Sequence, residues 1–134
     1  MVLDTSAIAA ILFDELEAPA FEVAIERASV RLLSAASWVE LSIVVELRLG
    51  EPGERELDLL LYKAGIEIVP LTREQAEIAR RAFRRFGKGR HPAALNFGDC
   101  FSYALSKTAG EPLLFKGDDF SRTDVATLRV AGLD

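Results

Sequence analysis

The chain has 134 residues, half of them hydrophobic and 28% charged, which predicts one compact domain over residues 1–134 that folds without disulfides. A single cysteine and a single histidine exclude an intramolecular disulfide and a tetrahedral zinc site, and they favour a reducing, cytoplasmic location. The net charge of −5 excludes a protein that binds nucleic acid over its whole surface, because phosphate binding draws on an excess of lysine and arginine.

The first half of the chain alternates strand and helix patterns. The elements predicted there are a strand at 2–3, helices at about 7–13 and 20–28, a strand at 30–33, a helix from 34–37 to the glycine and proline breakers at 50–53, and a helix to about residue 63. Charged residues at Asp4, Asp14, Glu15 and Glu17 interrupt the early apolar runs. Neither an export signal nor a membrane-spanning segment is therefore expected.

The second half continues this alternation. Its predicted elements are a strand at 66–71, a basic helix that Thr72 and Gln75 start as a capping box and that ends near Gly87, a loop at 87–92, a helix at 97–108, a strand at 113–115 and a turn at 117–120. Strands that alternate with helices predict an α/β fold, with a small, mainly parallel sheet flanked by helices on both faces.

Acidic residues lie where the strands and helices of such a fold open onto a crevice. Asp4 ends the first strand, and Asp118 and Asp119 closely follow the last one. Glu40 and Asp99 lie in the first turns of two helices. Because ligands of open parallel sheets bind beyond the carboxyl ends of the strands, these side chains are candidates for one shared site.

A group of carboxylates in one pocket favours a bound divalent cation, because without one each charge disfavours ionisation of its neighbours. All the candidates are oxygen donors without usable cysteine or histidine partners, which indicates Mg²⁺, or Mn²⁺ in its place, rather than zinc. Such a site suits hydrolysis of a phosphodiester by metal-activated water. For each acid alone a structural role competes: Asp4 and Asp99 as helix caps, Glu40 on a solvated helix face, and 118–119 as a polar turn.

Four segments of the chain, taken in order, resemble the VapC family of PIN-domain toxins. They are Met1-Val2-Leu3-Asp4-Thr5-Ser6-Ala7, Ser37-Trp38-Val39-Glu40, residues 87–105, and Leu113-Leu114-Phe115-Lys116-Gly117-Asp118-Asp119-Phe120. The third segment is the most specific, and together the four extend the resemblance over nearly the whole chain. The resemblance implies a single domain with a PIN-like fold.

The resemblance also implies which residues act. Asp4, Glu40 and Asp99 match the first three acids of the family, with magnesium held chiefly by Asp4 and Asp99. Thr5 and Ser6 match the hydroxyl residues beside the first acid. These two are candidates for orienting the acid or a water molecule.

The final acid of the family has two candidates in this chain. The turn after the last strand offers both Asp118 and Asp119. We favour Asp118 because it comes first after Gly117, although the sequence does not decide between the two.

Members of the resembled family are endoribonucleases that a VapB antitoxin holds inactive. The resemblance implies that this chain is the toxin of a type II VapB–VapC pair, that it forms homodimers, and that it meets DNA only through its antitoxin. Two other functions stay open: a PIN nuclease of RNA maturation and a catalytically inert PIN-fold binding module. An aspartate-based phosphatase is disfavoured, because Ser6 stands where that class has its second aspartate.

A basic segment reverses the charge balance of the chain between residues 73 and 91. Arg84, Arg85, Lys88 and Arg90 are candidate RNA-binding residues, since an acidic nuclease needs a local positive field near its substrate. The competing interpretation is a solvated helix face.

Four further residues with functional chemistry are expected to be structural. Trp38 and Phe101 are predicted to lie in the core rather than to stack on bases. Cys100 is predicted to be a small core residue, since no base accompanies it. His91 lies in a loop of breakers and is not expected to be a catalytic base.

Overall fold

The computed structural model describes residues 1–130 and 132. Its strands are β1 (Val2–Leu3), β2 (Leu32–Ser34), β3 (Glu67–Val69) and β4 (Leu113–Leu114). Its helices are α1 (Thr5–Leu12), α2 (Ala18–Arg27), α3 (Ala35–Lys63), α4 (Arg73–Phe86) and α5 (Phe97–Ala109), and a 3₁₀ turn follows at Phe120–Arg122. The strands and helices alternate as the sequence predicts, with boundaries that differ by a few residues.

The strands form one parallel sheet in the order β3-β2-β1-β4. The central strand β1 pairs on one side with β2, Val2 opposite Leu32, and on the other with β4, Val2 opposite Leu113. Because all strands run in the same direction, their carboxyl ends share one edge of the sheet. Asp4 directly follows β1 and therefore lies at the middle of that edge. The prediction of a parallel sheet is confirmed.

Helices cover both faces of this sheet, also as predicted. Successive strand residues point to opposite faces, so Leu3 packs with α1, α2 and α3 in one core while Val2 packs with α4 and α5 in another. The first core includes Phe21, and the second includes Phe86 and Tyr103. A single β1 strand therefore anchors two helical layers, which fixes the position of the residue that follows it.

The long helix α3 differs from the prediction. Two helices separated by breakers were expected, and the chain instead continues through a kink at Gly50, whose φ of 66° and ψ of −158° are not helical. A positive φ of this size costs a glycine little, and Pro52 stands early in the second half, where its missing N–H costs little. Two helical segments are thus present, but no loop separates them.

Two local details also differ. Thr72 caps α4 by accepting a hydrogen bond from the Gln75 backbone, but the Gln75 side chain donates to the Pro70 carbonyl at 3.2 Å, so the reciprocal half of the capping box is not made. The core prediction for Trp38 is wrong: its exposure is 36% because α3 turns Ser37 and Leu41 inward instead. No helix within the described residues is long and apolar enough to cross a membrane.

Candidate active site

Asp4 lies nearly buried at the carboxyl edge of the sheet, 4% exposed, and is the N-cap of α1. Its Oδ2 accepts hydrogen bonds from the Ser6 backbone at 3.0 Å and from Ser6 Oγ at 2.6 Å. Its Oδ1 accepts one from Ser102 Oγ, also at 2.6 Å. The carboxylate thus has three donors, and none of them is a cation.

Glu40 reaches the same edge from α3. Its Oε1 accepts a hydrogen bond from Thr5 Oγ1 at 2.9 Å. Its carboxylate lies directly against Gly98 in the first turn of α5, where a Cβ would stand 2.1 Å from Glu40 Oε2. No side chain fits at that distance, so glycine at position 98 is what allows Glu40 to lie against the beginning of the helix.

Asp99 is partly buried in the first turn of α5 and forms a complete capping box with Asn96. Asn96 Oδ1 accepts from the Asp99 backbone at 2.9 Å, and Asp99 Oδ2 accepts from the Asn96 backbone at 3.0 Å. The pKa of Asp99 is raised to about 7, chiefly by burial and further by the charges of Asp4, Asp119 and Glu40. The hydrogen bond from the Asn96 backbone acts in the opposite direction and lowers it. Both interpretations of Asp99 hold at once: it caps a helix and it belongs to an acidic cluster.

The two acids of the final turn are placed differently. Both are exposed, but it is Asp119 whose charge raises the pKa of Asp99. Asp118 contributes a backbone carbonyl that accepts from Ser121 Oγ at 2.7 Å. The acids whose charges raise the pKa of Asp99 are therefore Asp4, Glu40 and Asp119, and the sequence-based preference for Asp118 gains no support from this arrangement.

Asp4, Glu40, Asp99 and Asp119, the acidic cluster, suit a hard divalent cation. Among residues 1–130 and 132, no lysine or arginine forms an ion pair with any of the four. In the same part of the chain, no three acidic, histidine or cysteine side chains stand close enough to form a ready-made metal cage. Magnesium does not need one, because it keeps several waters and is usually bound by one or two carboxylates. Uncompensated charge and oxygen-only donors therefore fit Mg²⁺.

The predicted RNA-binding residues lie apart from the acidic cluster, around the end of α4. Arg85 pairs with Asp124 at 3.3 Å, and Arg90 stands 6.0 Å from the ring centre of Phe83. Arg84 and Lys88 are exposed. The structure brings none of the four into contact with the acids, but α4 packs directly on α5, the helix that carries Asp99.

His91 and Cys100 have structural surroundings. His91 Nδ1 accepts a hydrogen bond from the Ala93 backbone at 3.0 Å and so stabilises its loop. Burial raises the pKa of the Cys100 thiol to about 11, with a further contribution from the charge of Asp99, and the thiol donates to the Asn96 carbonyl. A thiol held protonated in this way is a poor nucleophile.

The sequence interpretation missed Ser102, Ser37 and Gly98. Ser102 and Ser37 are fully buried, and Ser102 contacts Asp4 directly. One signal was available: Ser102 follows Asp99 by three residues, so both lie on one face of the helix. The contact between Gly98 and Glu40 joins α5 to α3 and had no sequence signal.

Comparison with known proteins first defines the class. The family model of the PIN domain matches residues 1–126. The structure also resembles that of Mycobacterium tuberculosis VapC20, described as a toxin that cleaves the sarcin-ricin loop. The TM-score is 0.77 and the sequence identity 18%, and the match covers 96% of this chain and 98% of the other. A structure of VapBC2 from Rickettsia felis, bound to a DNA fragment from its promoter, matches with a TM-score of 0.73 and 15% identity over 96% of each chain.

A sequence relative narrows the class. Ribonuclease VapC30 of Mycobacterium tuberculosis is 56% identical over 128 residues, which cover 96% of this chain and 98% of the relative. The chain therefore belongs to the VapC family of PIN-domain ribonucleases.

Proposed function

We propose that this protein is a magnesium-dependent endoribonuclease, the toxin of a type II VapB–VapC toxin–antitoxin pair, and that its chain is one PIN domain. The observation that carries the proposal is the acidic cluster at the carboxyl edge of the sheet, in which the charges of Asp4, Asp119 and Glu40 act on Asp99. The 56% identity to a protein named a ribonuclease supports RNA as the substrate.

In this proposal Asp4 and Asp99 hold Mg²⁺, for which Mn²⁺ substitutes. Glu40 and Asp119 complete the set of catalytic acids, with Asp118 as the alternative to Asp119. When bound, the cation activates a water molecule and neutralises charge on the phosphodiester. The carboxylates contribute the site that attracts and orients it.

The surrounding residues set the orientation of each acid. Thr5 donates to Glu40 Oε1, and Gly98 leaves room for the rest of that carboxylate. The Asn96 backbone donates to Asp99 Oδ2, and within the described part of the chain no donor reaches Asp99 Oδ1. Fixed carboxylates of this type bind without first having to be ordered, which is the usual advantage of a preorganised site.

We further propose that Arg84, Arg85, Lys88 and Arg90, around the end of α4, bind RNA phosphates at a distance from the acidic cluster. These side chains are exposed, and their positive charges can attract RNA phosphates that the acidic residues would repel. Replacing them is expected to weaken RNA binding and to reduce its dependence on salt.

The partners follow from the family. We propose a cognate VapB antitoxin as the inhibitor, a homodimer as the assembly, the cytoplasm as the location, and DNA contact only through the antitoxin. The likeness to the VapBC2 structure from Rickettsia felis supports an antitoxin partner.

The test is cleavage of structured RNA by the purified, antitoxin-free protein in Mg²⁺ or Mn²⁺. Asp99→Asn and EDTA are each expected to abolish cleavage. Asp58→Asn is the matched control, since Asp58 is an exposed acid on α3 outside the cluster. Absence of cleavage by the folded wild-type protein across a broad set of RNAs would contradict the proposal and favour an inert binding module.

A further inference from the structure

The carboxylate of Asp4 has most of its acceptor positions filled by protein donors. An ionised carboxylate offers about four lone-pair positions, two on each oxygen. Oδ2 accepts two hydrogen bonds, both from Ser6, and Oδ1 accepts one from Ser102. No donor among the described residues fills the fourth position, which belongs to Oδ1.

The direction of the hydrogen bonds around Ser102 follows from counting protons. Ser102 has one hydroxyl proton, and the 2.6 Å contact with Asp4 uses it. Ser37 Oγ lies 3.4 Å from Ser102 Oγ, so in that pair Ser37 is the donor and Ser102 the acceptor. A chain of hydrogen bonds thus runs from α3 through α5 to the end of β1, in one direction.

On the other side of Asp4 the same logic applies. Ser6 Oγ donates to Asp4 Oδ2 and accepts a hydrogen bond of 3.0 Å from the backbone N–H of Lys116. Lys116 lies just beyond β4. The two hydroxyls that donate to the Asp4 carboxylate, those of Ser6 and Ser102, therefore each accept a further hydrogen bond that fixes their position. Ser102 and Ser37 are fully buried, so no bulk water replaces either donor if it is lost.

We propose that Ser102, supported by Ser37, is a positioning residue that fixes the Asp4 carboxylate so that the free position of Oδ1 is open to the cation. The inference rests on the proposed function, because it assigns Asp4 to metal binding. Without the Ser102 hydroxyl, Oδ1 loses the one donor that it has among the described residues, and the carboxylate turns about the Ser6 contacts. Metal affinity then falls although all the acids remain.

A merely structural role for Ser102 makes a different prediction, and Ser106 provides the matched control. Ser106 lies one turn further along α5, is also buried, and donates to the Glu111 carbonyl at 2.5 Å. Ser102→Ala and Ser106→Ala each remove one buried hydroxyl donor from the same helix, and Ser102→Ala also removes the acceptor of the Ser37 hydroxyl. Only the first of them touches Asp4.

The experiment titrates Mn²⁺ into wild-type protein, Ser102→Ala and Ser106→Ala, with free Mn²⁺ followed by electron paramagnetic resonance and unfolding temperatures measured in parallel. We expect Ser102→Ala to weaken Mn²⁺ binding by roughly 10- to 100-fold, as residues that orient a metal ligand typically do. Ser106→Ala is expected to keep wild-type affinity while losing thermal stability. Ser37→Ala, which keeps the Ser102 hydroxyl, is expected to weaken binding less than Ser102→Ala.

The conservative variant Ser102→Thr retains the hydroxyl and is expected to bind Mn²⁺ more tightly than Ser102→Ala; together with Ser37→Ala it tests the inference even if Ser102→Ala does not fold. Equal Mn²⁺ affinity of wild type, Ser102→Ala and Ser37→Ala would overturn the positioning role while leaving the proposed function intact. A wild-type protein that neither binds Mn²⁺ nor cleaves RNA would overturn both.

Discussion

Asp99 lies in the first turn of α5, and Asp124 contacts Tyr103 and Lys107 further along the same helix; the pKa values of the two acids are shifted in opposite directions. Desolvation raises the pKa of Asp124, but hydrogen bonds from Tyr103 and Lys107 and the charges of Lys107 and Arg85 outweigh it, so the net pKa is lowered. Around Asp99, burial and three further acids raise the pKa to about 7.

The difference separates an acid that is paired with lysine and arginine from acids that have no such ion pair among the described residues. Asp124 ties the segment after the 3₁₀ turn to α4 and α5 through paired charges. The acidic cluster has hydroxyl and backbone donors, but no cation among the described residues pairs with it. Charge left unneutralised in a folded protein costs stability, and it persists where a ligand supplies the opposite charge.

The largest expected effect comes from Asp99→Asn. RNA cleavage should fall by more than the roughly 100-fold that supporting residues contribute at metal sites. In EDTA at pH 8 the unfolding temperature should nevertheless rise. The pKa of Asp99 is higher in the folded protein than in the unfolded chain, so ionised Asp99 destabilises the fold. The wild-type protein therefore loses stability as the pH rises from about 4 to 7.

Cleavage assays and thermal unfolding of wild type and Asp99→Asn check this together. A variant that is inactive because it is unfolded at assay temperature would contradict the expectation. Asp58→Asn, assayed alongside, should change neither quantity.

Adding Mg²⁺ or Mn²⁺ to the wild-type protein should reverse the loss of stability that the ionised acidic cluster causes. At a metal concentration 100-fold above its Kd, binding to the folded state alone stabilises by about 2.7 kcal/mol. For a chain of this size that corresponds to a rise of roughly 10 °C in Tm. Differential scanning fluorimetry with Mg²⁺ or Mn²⁺ measures it, and an equal rise in Asp99→Asn would show that the cation acts elsewhere.

Gly98→Ala should disturb the cluster without removing an acid. The new Cβ would stand 2.1 Å from Glu40 Oε2, so the carboxylate must move away from the start of α5. Cleavage is expected to fall by about 10-fold or more. Alanine is the better helix former by up to about 1 kcal/mol, which limits any loss of stability. Steady-state kinetics and urea unfolding test both parts, and unchanged kcat would argue against a role for Glu40.

Asp124→Asn should have the smallest effect and the opposite character. Its partners are partly exposed, so the loss in the free energy of unfolding is expected to be no more than about 1 kcal/mol, with cleavage unchanged. Because the pKa of Asp124 is lowered in the folded state, its contribution is present above its ordinary value of 3.8 and is lost as the pH falls below it. Urea unfolding at pH 7 and pH 3 measures this; the difference between the variant and wild type should be smaller at pH 3 than at pH 7.

The sequence predicted the frame of the site because the frame depends on local patterns. Asp4 ends a short apolar strand, and Glu40 and Asp99 lie in the first turns of two predicted helices. Because parallel strands open onto one edge of the sheet, all three are candidates from the sequence. What failed depends on packing between distant elements. The exposure of Trp38 is set by which side of α3 meets the sheet.

The supporting residues were hidden for the same reason. Ser102 reads in the sequence as one small polar residue in a helix, and its importance arises from a contact with a residue 98 positions away. The choice between Asp118 and Asp119 depends on the dihedral angles of a single turn, which neighbouring acids in a sequence do not reveal.

The double use of Asp99 gives this protein a simple route to inactivity. Its carboxylate caps α5 through an oxygen that an asparagine side chain also possesses. Asparagine at position 99 retains a side-chain oxygen that can accept from the Asn96 backbone, and every aspartate codon becomes an asparagine codon by one base change. One mutation is therefore expected to yield a folded chain that keeps its surfaces for other proteins while losing its chemistry. Where the activity is selected against, this substitution is therefore expected to inactivate the protein without a loss of folding stability.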